Sequence, residues 1–368
     1  MNIKNKLLVG ASVMSLILLS NHAAMAGNAF EQLVEKSKSE LAKVGGKINI
    51  GLDWKKGDAG PVMAAFKKDF PFVKEIKYAR ETGVGPFGRY LISIKQGQNP
   101  PHDIMHVASE FQDQYLKAGA FQKPMFDYKA LNASLPSGWP KLHKNALDPK
   151  GDFVSTTGNA RGIIWNTKLV AASKAPTTWA SCLDPAWKGK VLIDARNKLQ
   201  AFQYDPNQRP RHIAWLKKLV DNNVMIIRGQ GSIVRKIAGG EFPIACGINY
   251  HTAYRSIERS GVKNVKFTFA ESIPLELGTR LYIPKWSRTP ATAQLFALWA
   301  ATEGQEPLGK FAYRGFTWNP KAHKYAASQG KYISLCGAEC ATRWTEFNKE
   351  YPKLLKIPVV KEKKKKKK

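Results

Sequence analysis

Between residues 47 and 119 the chain repeats one rhythm, a short apolar run followed by an amphipathic one. "KINIGL" (47–52), "VKEIKYA" (73–79) and "HDIMHV" (102–107) read as strands. "GPVMAAFKKDF" (60–70), "PFGRYLISIKQG" (86–97) and "EFQDQYLKAG" (110–119) carry apolar residues at helical spacing. Strands and helices in strict alternation predict an α/β sheet with helices on its faces. A Pro-, Gly- and Asn-rich passage over 132–152 interrupts the rhythm, and "GIIWNT" (162–167) resumes it. The second series runs through "KVLID", "RHIAWLKKLVDN", "VMII", "GSIVRKIAGG" and "FPIACGI" to "HTAYRSIERSG", "VKFTFA", "TRLYIP" and "TPATAQLFALWAAT". The two blocks are similar in size and share no residue-level repeat. With 368 residues, the expectation is two compact α/β lobes.

In open α/β sheets ligands bind beyond the carboxyl ends of strands, where loops and helix starts converge. That rule selects the candidates. "LDWKKG" offers Asp53, Trp54 and Lys55, with Lys56 beside them. "ETGVGPFG" offers Gly83, Val84 and Gly85, whose bare N–H groups can hold an anion, with Arg89 just beyond. Arg161 opens the strand "RGIIW", and Arg196 lies in "DARNK"; a guanidinium suits bidentate pairing with carboxylate or phosphate. In "ACGINYHTAYRSIER" (245–259) an apolar strand ends at Asn249, and Tyr250, His251 and Tyr254 follow. These side chains can ligate a metal, donate to an anion or cap a helix.

Other classes find less support. No GxSxG, HExxH or Walker pattern is present. His102 and His106, four apart on a strand, would stand roughly 13 Å apart, too far for one metal. Formal charge is +30; the terminal "KEKKKKKK" (361–368) accounts for six and Lys4 and Lys6 for two, leaving +22 in the body. No zinc finger, RNP motif or aromatic–basic repeat accompanies that charge, so nucleic acid is not expected as a partner. The lysine tail reads as a disordered appendage able to touch anionic surfaces.

A basic start, a 13-residue apolar run and "AMA" (24–26) read as a signal peptide over 1–26. Export to an oxidising, periplasmic compartment agrees with four cysteines read as disulfides, Cys336 with Cys340 in "CGAEC" and Cys182 with Cys246.

Four segments carry a family resemblance. "SCLDPAWKGKVLI" (181–193), "ARGIIWNTKLV" (160–170), "PHDIMHVASEFQDQYLKAGAF" (101–121) and "ACGINYHTAYR" (245–255) resemble, in the same order, segments of periplasmic solute-binding proteins of ABC transporters, in the branch near the ferric-binding proteins. The resemblance covers roughly residues 46–320. It implies the type II periplasmic-binding-protein fold: two Rossmann-like lobes joined by hinge strands, a ligand cleft between them, and a membrane permease as partner. The implied division is 46–158 with 269–330 as lobe 1 and 159–268 as lobe 2. A C-terminal extension with a disulfide loop then fills 331–360. The implied protein is a monomeric, non-enzymatic binding component without a cofactor. The resemblance also implies ferric ion as an alternative ligand, gripped where Tyr250 and His251 stand in place of an adjacent tyrosine pair. The first-lobe histidine position of those proteins falls near Lys55. A lost phenolate and a lysine disfavour Fe(III), and Lys55, Lys56, Arg89, Arg161 and Arg196 along the cleft edges favour a small anionic solute bearing phosphate, phosphonate or carboxylate.

Overall fold

The computed structural model describes residues 28–82, 84–108, 111–195, 199–317, 331–337, 340 and 350–356. The expected signal peptide (1–26), Gly83, Arg196 and the lysine-rich segment (361–368) lie outside the described residues.

The first block forms as its periodicity predicts. Helix α1 (Ala29–Lys43) is opened by a capping box between Asn28 and Glu31 and buries Phe30, Leu33 and Leu41. Strand β1 (Lys47–Leu52), helix α2 (Lys56–Asp69), β2 (Glu75–Arg80), α3 (Val84–Lys95), β3 (Ile104–His106) and α4 (Gln112–Lys117) follow in order. β1 pairs in parallel with β2 and β3. The irregular passage includes a short helix, α5 (Tyr128–Ala133), capped by Asp127.

The chain then crosses the molecule on one long strand, β4 (Val154–Asn166). The second half adds β5 (Val191–Asp194), α6 (Gln200–Tyr204), α7 (Arg209–Asp221), β6 (Met225–Ile227), α8 (Gln230–Ala238), β7 (Ile244–Asn249), α9 (Tyr250–Tyr254) and β8 (Val265–Thr268). The return runs on β9 (Ser272–Tyr282), followed by α10 (Pro290–Ala301) and β10 (Tyr332–Cys336). The strand order is β2-β1-β3-β9-β4-β7-β5-β6, with β8 beside β4 and β10 beside β9.

The pairings of β4 explain the architecture. Its residues Val154–Ala160 pair with β9, whereas Arg161–Asn166 pair with β7 and β8. One strand thus belongs to two sheets and changes partner between Ala160 and Arg161. The crossing strands β4 and β9 run antiparallel to each other, because a chain that leaves one sheet and returns must traverse the junction in both directions; β4 is also antiparallel to β7 and β8, and β9 is antiparallel to β3 but parallel to β10. The register shifts between Gly162 and Ile163. A Cβ on Gly162 would stand 2.2 Å from the Thr268 carbonyl oxygen, so only glycine permits that approach.

The expected strand "GIIWNT" therefore begins earlier than its apolar run, and "TRLYIP" is the end of a longer strand. In both cases the added residues gain ladder partners distant in sequence, which overrides weak local propensity. Helix α10 is buried over Ala291–Ala301 and packs against α1. A second core cluster gathers Trp179, Phe202, Trp215 and the buried Cys182–Cys246 disulfide. Cys336 and Cys340 are also bonded to each other.

Candidate ligand cleft

The carboxyl ends of β1, β2, β5, β6 and β7 converge with the middle of β4 on a cavity of about 500 Å³. That volume suits a small solute. β1 delivers Asp53 and Lys55, and β2 delivers Arg80 and Thr82. β4 contributes Asn159 and Arg161 on either side of its change of partner. From the second half come Asp194, the segment Gly229–Gly231, Asn249, His251, Thr252 and Arg255, and Arg314 arrives from beyond α10.

Five cations face two carboxylates in this lining. Three of them are already paired. Arg314 Nη2 donates to Asp53 Oδ2 at 3.0 Å and to Asn159 Oδ1 at 3.3 Å. Arg161 Nη2 donates to Glu276 Oε2 at 2.9 Å. Arg255 pairs with Asp58, which also takes Arg259 Nη1. Burial opposes ionisation of Asp53, but the Arg314 guanidinium, His106 and the Thr279 hydroxyl at 2.7 Å outweigh it and hold the carboxyl well below the usual range. Lys55 and Arg80 are exposed on the cavity wall, and no carboxylate hydrogen bonds to either among the described residues. Desolvation and then Arg255 lower the proton affinity of Lys55.

The second half supplies an oriented backbone. Gly229 caps α8 at φ +110°, a conformation that only glycine adopts without strain, and its N–H donates to Asp194 Oδ2 at 3.1 Å. Gln230 Oε1 accepts from Asn249 N at 2.8 Å, tying the α8 start to the end of β7. The positive end of α8 therefore opens on the cavity, with Gly231 exposed beside it. His251 is half-buried; desolvation, then Arg314 and Arg255, hold its pKa well below the ordinary value, so the ring is neutral at pH 7.

Of the sequence candidates, Asp53, Lys55, Arg161, Asn249 and His251 are brought together on the cavity. Trp54, Gly85, Tyr250 and Tyr254 are not on its wall. Trp54 is buried and donates to Thr279. Gly85 lies in the first turn of α3, which Val84 begins. Tyr250 is buried among aromatic rings: its ring stacks on Phe269 at 5.6 Å and meets Tyr254 at 4.2 Å and Phe267 at 5.4 Å. A short helix of unknown phase could have presented either Tyr250 or His251, and the aromatic faces of β8 and the residues after it drew the tyrosine inward. Lys56 and Arg89 are likewise off the wall. His102 and His106 serve separate places, His102 beside Glu81 at 3.3 Å and His106 against the Arg280 carbonyl.

The cavity residues not selected from sequence are Arg80, Thr82, Asn159, Asp194, Gly229–Gly231, Thr252, Arg255 and Arg314. The motif "RGQGS" (228–232), two glycines between a strand and a helix, carried the readable signal for Gly229–Gly231. Among the described residues no group of three His, Cys, Asp or Glu side chains is placed to hold a metal ion.

Residues 62–329 match the sequence profile of the bacterial extracellular solute-binding proteins. The chain belongs to that family. Solute-binding proteins of this kind are transport components of ABC systems rather than enzymes. Among the described residues no helix is long and apolar enough to cross a membrane. Solved structures share the two-lobe type II fold. Iron-bound HitA from Pseudomonas aeruginosa aligns with a TM-score of 0.61 at 16% identity, over 84% of this chain and 99% of that one. A ferric binding protein from Campylobacter jejuni gives 0.61 at 15%, over 83% and 99%. AfuA from Actinobacillus pleuropneumoniae, with fructose-6-phosphate bound, gives 0.59 at 18%, over 85% and 99%. No curated protein matches the sequence.

Proposed function

We propose that this solute-binding protein captures a small anionic solute, bearing phosphate, phosphonate or carboxylate, between its two lobes and presents it to a membrane permease. The lobes are residues 46–158 with 269–330, and residues 159–268. The change of strand partner at Arg161 and the end of β8 at Thr268 support that division. The observation that carries the anionic reading is the pairing pattern of the cavity cations. Arg161, Arg255 and Arg314 have protein carboxylates, while Lys55 and Arg80 bring charge that no described carboxylate answers by a hydrogen bond. An anion entering there replaces lost hydration with charge-assisted hydrogen bonds, and the start of α8 adds backbone donors from the opposite lobe.

The ferric alternative has less support. Tyr250 is packed among aromatic rings, and His251 lies among guanidiniums. A trivalent cation would meet repulsion from Lys55 and Arg80 without an anionic oxygen cage. The candidate ligand-touching residues are Asp53, Lys55, Arg80, Arg161, Gly231, Asn249, His251 and Arg314. Secretion through a cleaved leader and a monomeric state complete the proposal.

A thermal-shift panel of phosphates, phosphonates, carboxylates and Fe(III) tests it. One or more of the anions should raise the melting temperature, since a ligand at 100 times its Kd stabilises by about 2.7 kcal/mol. A shift with Fe(III) alone would reverse the assignment.

A further inference from the structure

Residues beyond the family-matched segment return to the crossing strand. β10 pairs in parallel with β9 through Tyr332 with Ser272, Ile333 with Ile273 and Ser334 with Pro274. β4 pairs with β9 only from Leu275 onward. Ser272, Ile273 and Pro274, the part of β9 nearest the lobe junction, therefore take β10 as their ladder partner. Left bare, that stretch would be a single strand joining two bodies, free to bend.

The same segment is fastened to the second lobe. Asp205, between α6 and α7, accepts from the Tyr332 hydroxyl at 2.8 Å and the Ser334 hydroxyl at 2.9 Å through one oxygen. Its other oxygen accepts from the Asn207 amide at 2.9 Å, so the turn that leads into α7 and the strand are held by one carboxylate. The Cys336–Cys340 disulfide packs on Ala201 and Tyr204 of α6. Farther along, Arg209 of α7 holds Glu350 by two bonds of 3.1 Å. Tyr351 and Leu355 are buried in the second-lobe core. The Tyr351 hydroxyl lies 3.4 Å from the Asp194 carbonyl, on a residue of the cavity wall.

We propose that residues 331–337 and 350–356 act as a brace across the hinge, with β10 stiffening the return strand and Asp205 fastening it to the second lobe, so that the brace limits how far the cleft opens. β10 joins one strand shared with the first lobe to one turn of the second, and rotation about the junction must strain or break one of those attachments. The inference goes beyond solute capture and does not depend on which solute is taken.

Nitroxide labels on Lys67→Cys of α2 and Lys217→Cys of α7, both exposed positions on different lobes, read the opening by pulsed electron–electron resonance without any ligand. Tyr332→Phe combined with Ser334→Ala removes only the two hydroxyl donors and leaves the strand and its apolar contacts. In that background the interlobe distance distribution should lengthen and broaden, and amide exchange over 269–276 should accelerate at least tenfold. Asp205→Asn, a second route to the same loss, should act in the same direction. Distances and exchange rates identical to the parent in both variants would overturn the brace.

Discussion

Arg255 is shared between the cavity and Asp58: its guanidinium lines the cavity and its Nη2 pairs with the Asp58 carboxylate on α2. Asp58 also takes Arg259 Nη1 and is 2% exposed. Two neighbouring contacts reinforce the junction, Tyr313 hydroxyl to Glu258 at 2.6 Å and Arg259 over the Tyr313 ring at 5.4 Å. Asp58 thus ties α2 to the segment Arg255–Arg259 through two ion pairs, one of them made by a residue of the cavity wall.

Asp58→Ala leaves two guanidiniums facing a site without a counter-charge. Breaking a buried pair costs about 3–5 kcal/mol, and the lower end applies because Arg259 remains 34% exposed. Urea denaturation of parent and variant measures the difference. A loss below ~1 kcal/mol would mean that the pair behaves as a solvated surface contact.

The place of His251 on the cavity wall predicts that capture is coupled to protons. Desolvation and the Arg314 and Arg255 charges hold its pKa well below the ordinary value in the free protein. In the unfolded chain the ring titrates near 6.5, so the unfolded state binds a proton that the folded state refuses. The contribution of His251 to the stability of the free protein is therefore present above the unfolded-state pKa and is lost as pH falls below it. An anion beside the ring favours its charged form, which predicts proton uptake on binding and tighter binding at pH 6 than at pH 8. Calorimetric titrations in buffers of differing ionisation enthalpy read that uptake directly. Zero net protonation at pH 6 would place the anion away from His251.

Gly162 sits beside Arg161 where β4 changes sheets. Gly162→Ala forces a methyl against the Thr268 carbonyl oxygen and the Phe267 ring. Overpacking of this kind costs about 1–3 kcal/mol and should also weaken binding, because the displaced strand carries Arg161. Thermal denaturation alongside a binding titration separates the two effects, and a variant with parental melting and affinity would refute the close approach.

Cys182 and Cys246 close a loop of 64 residues inside the second-lobe core. Replacing both with Ala should lower stability by about 2–4 kcal/mol. Neither sulfur touches the cavity, so the affinity of the folded variant should change less than about twofold. Equilibrium denaturation and a binding titration on the same sample check both halves.

Much of this arrangement is legible in the residues. The β1–α2–β2–α3 rhythm is a local property, because each element's apolar period is written within its own segment. The rule that ligands meet strand carboxyl ends selected Asp53, Lys55, Arg161, Asn249 and His251. What escaped depends on contacts made at long range. "VSTTGNA" has too little apolar character to announce a strand and becomes one only against β9. Arg314 carries no motif and reaches Asp53 across 261 positions. The inward turn of Tyr250 was set by Phe267 and Phe269, which a five-residue helix cannot signal by its own period.

The anionic reading rests most directly on Lys55 and Arg80, whose charge no described carboxylate answers by a hydrogen bond. Isothermal titration of the strongest anion from the thermal-shift panel into the parent and into the Lys55→Ala, Arg80→Ala double variant tests it. The account predicts one site per chain in the parent and an affinity at least tenfold weaker in the variant, about 1.4 kcal/mol, with an unchanged melting temperature in the absence of ligand. Equal affinity in the two proteins, or binding confined to Fe(III), would contradict it.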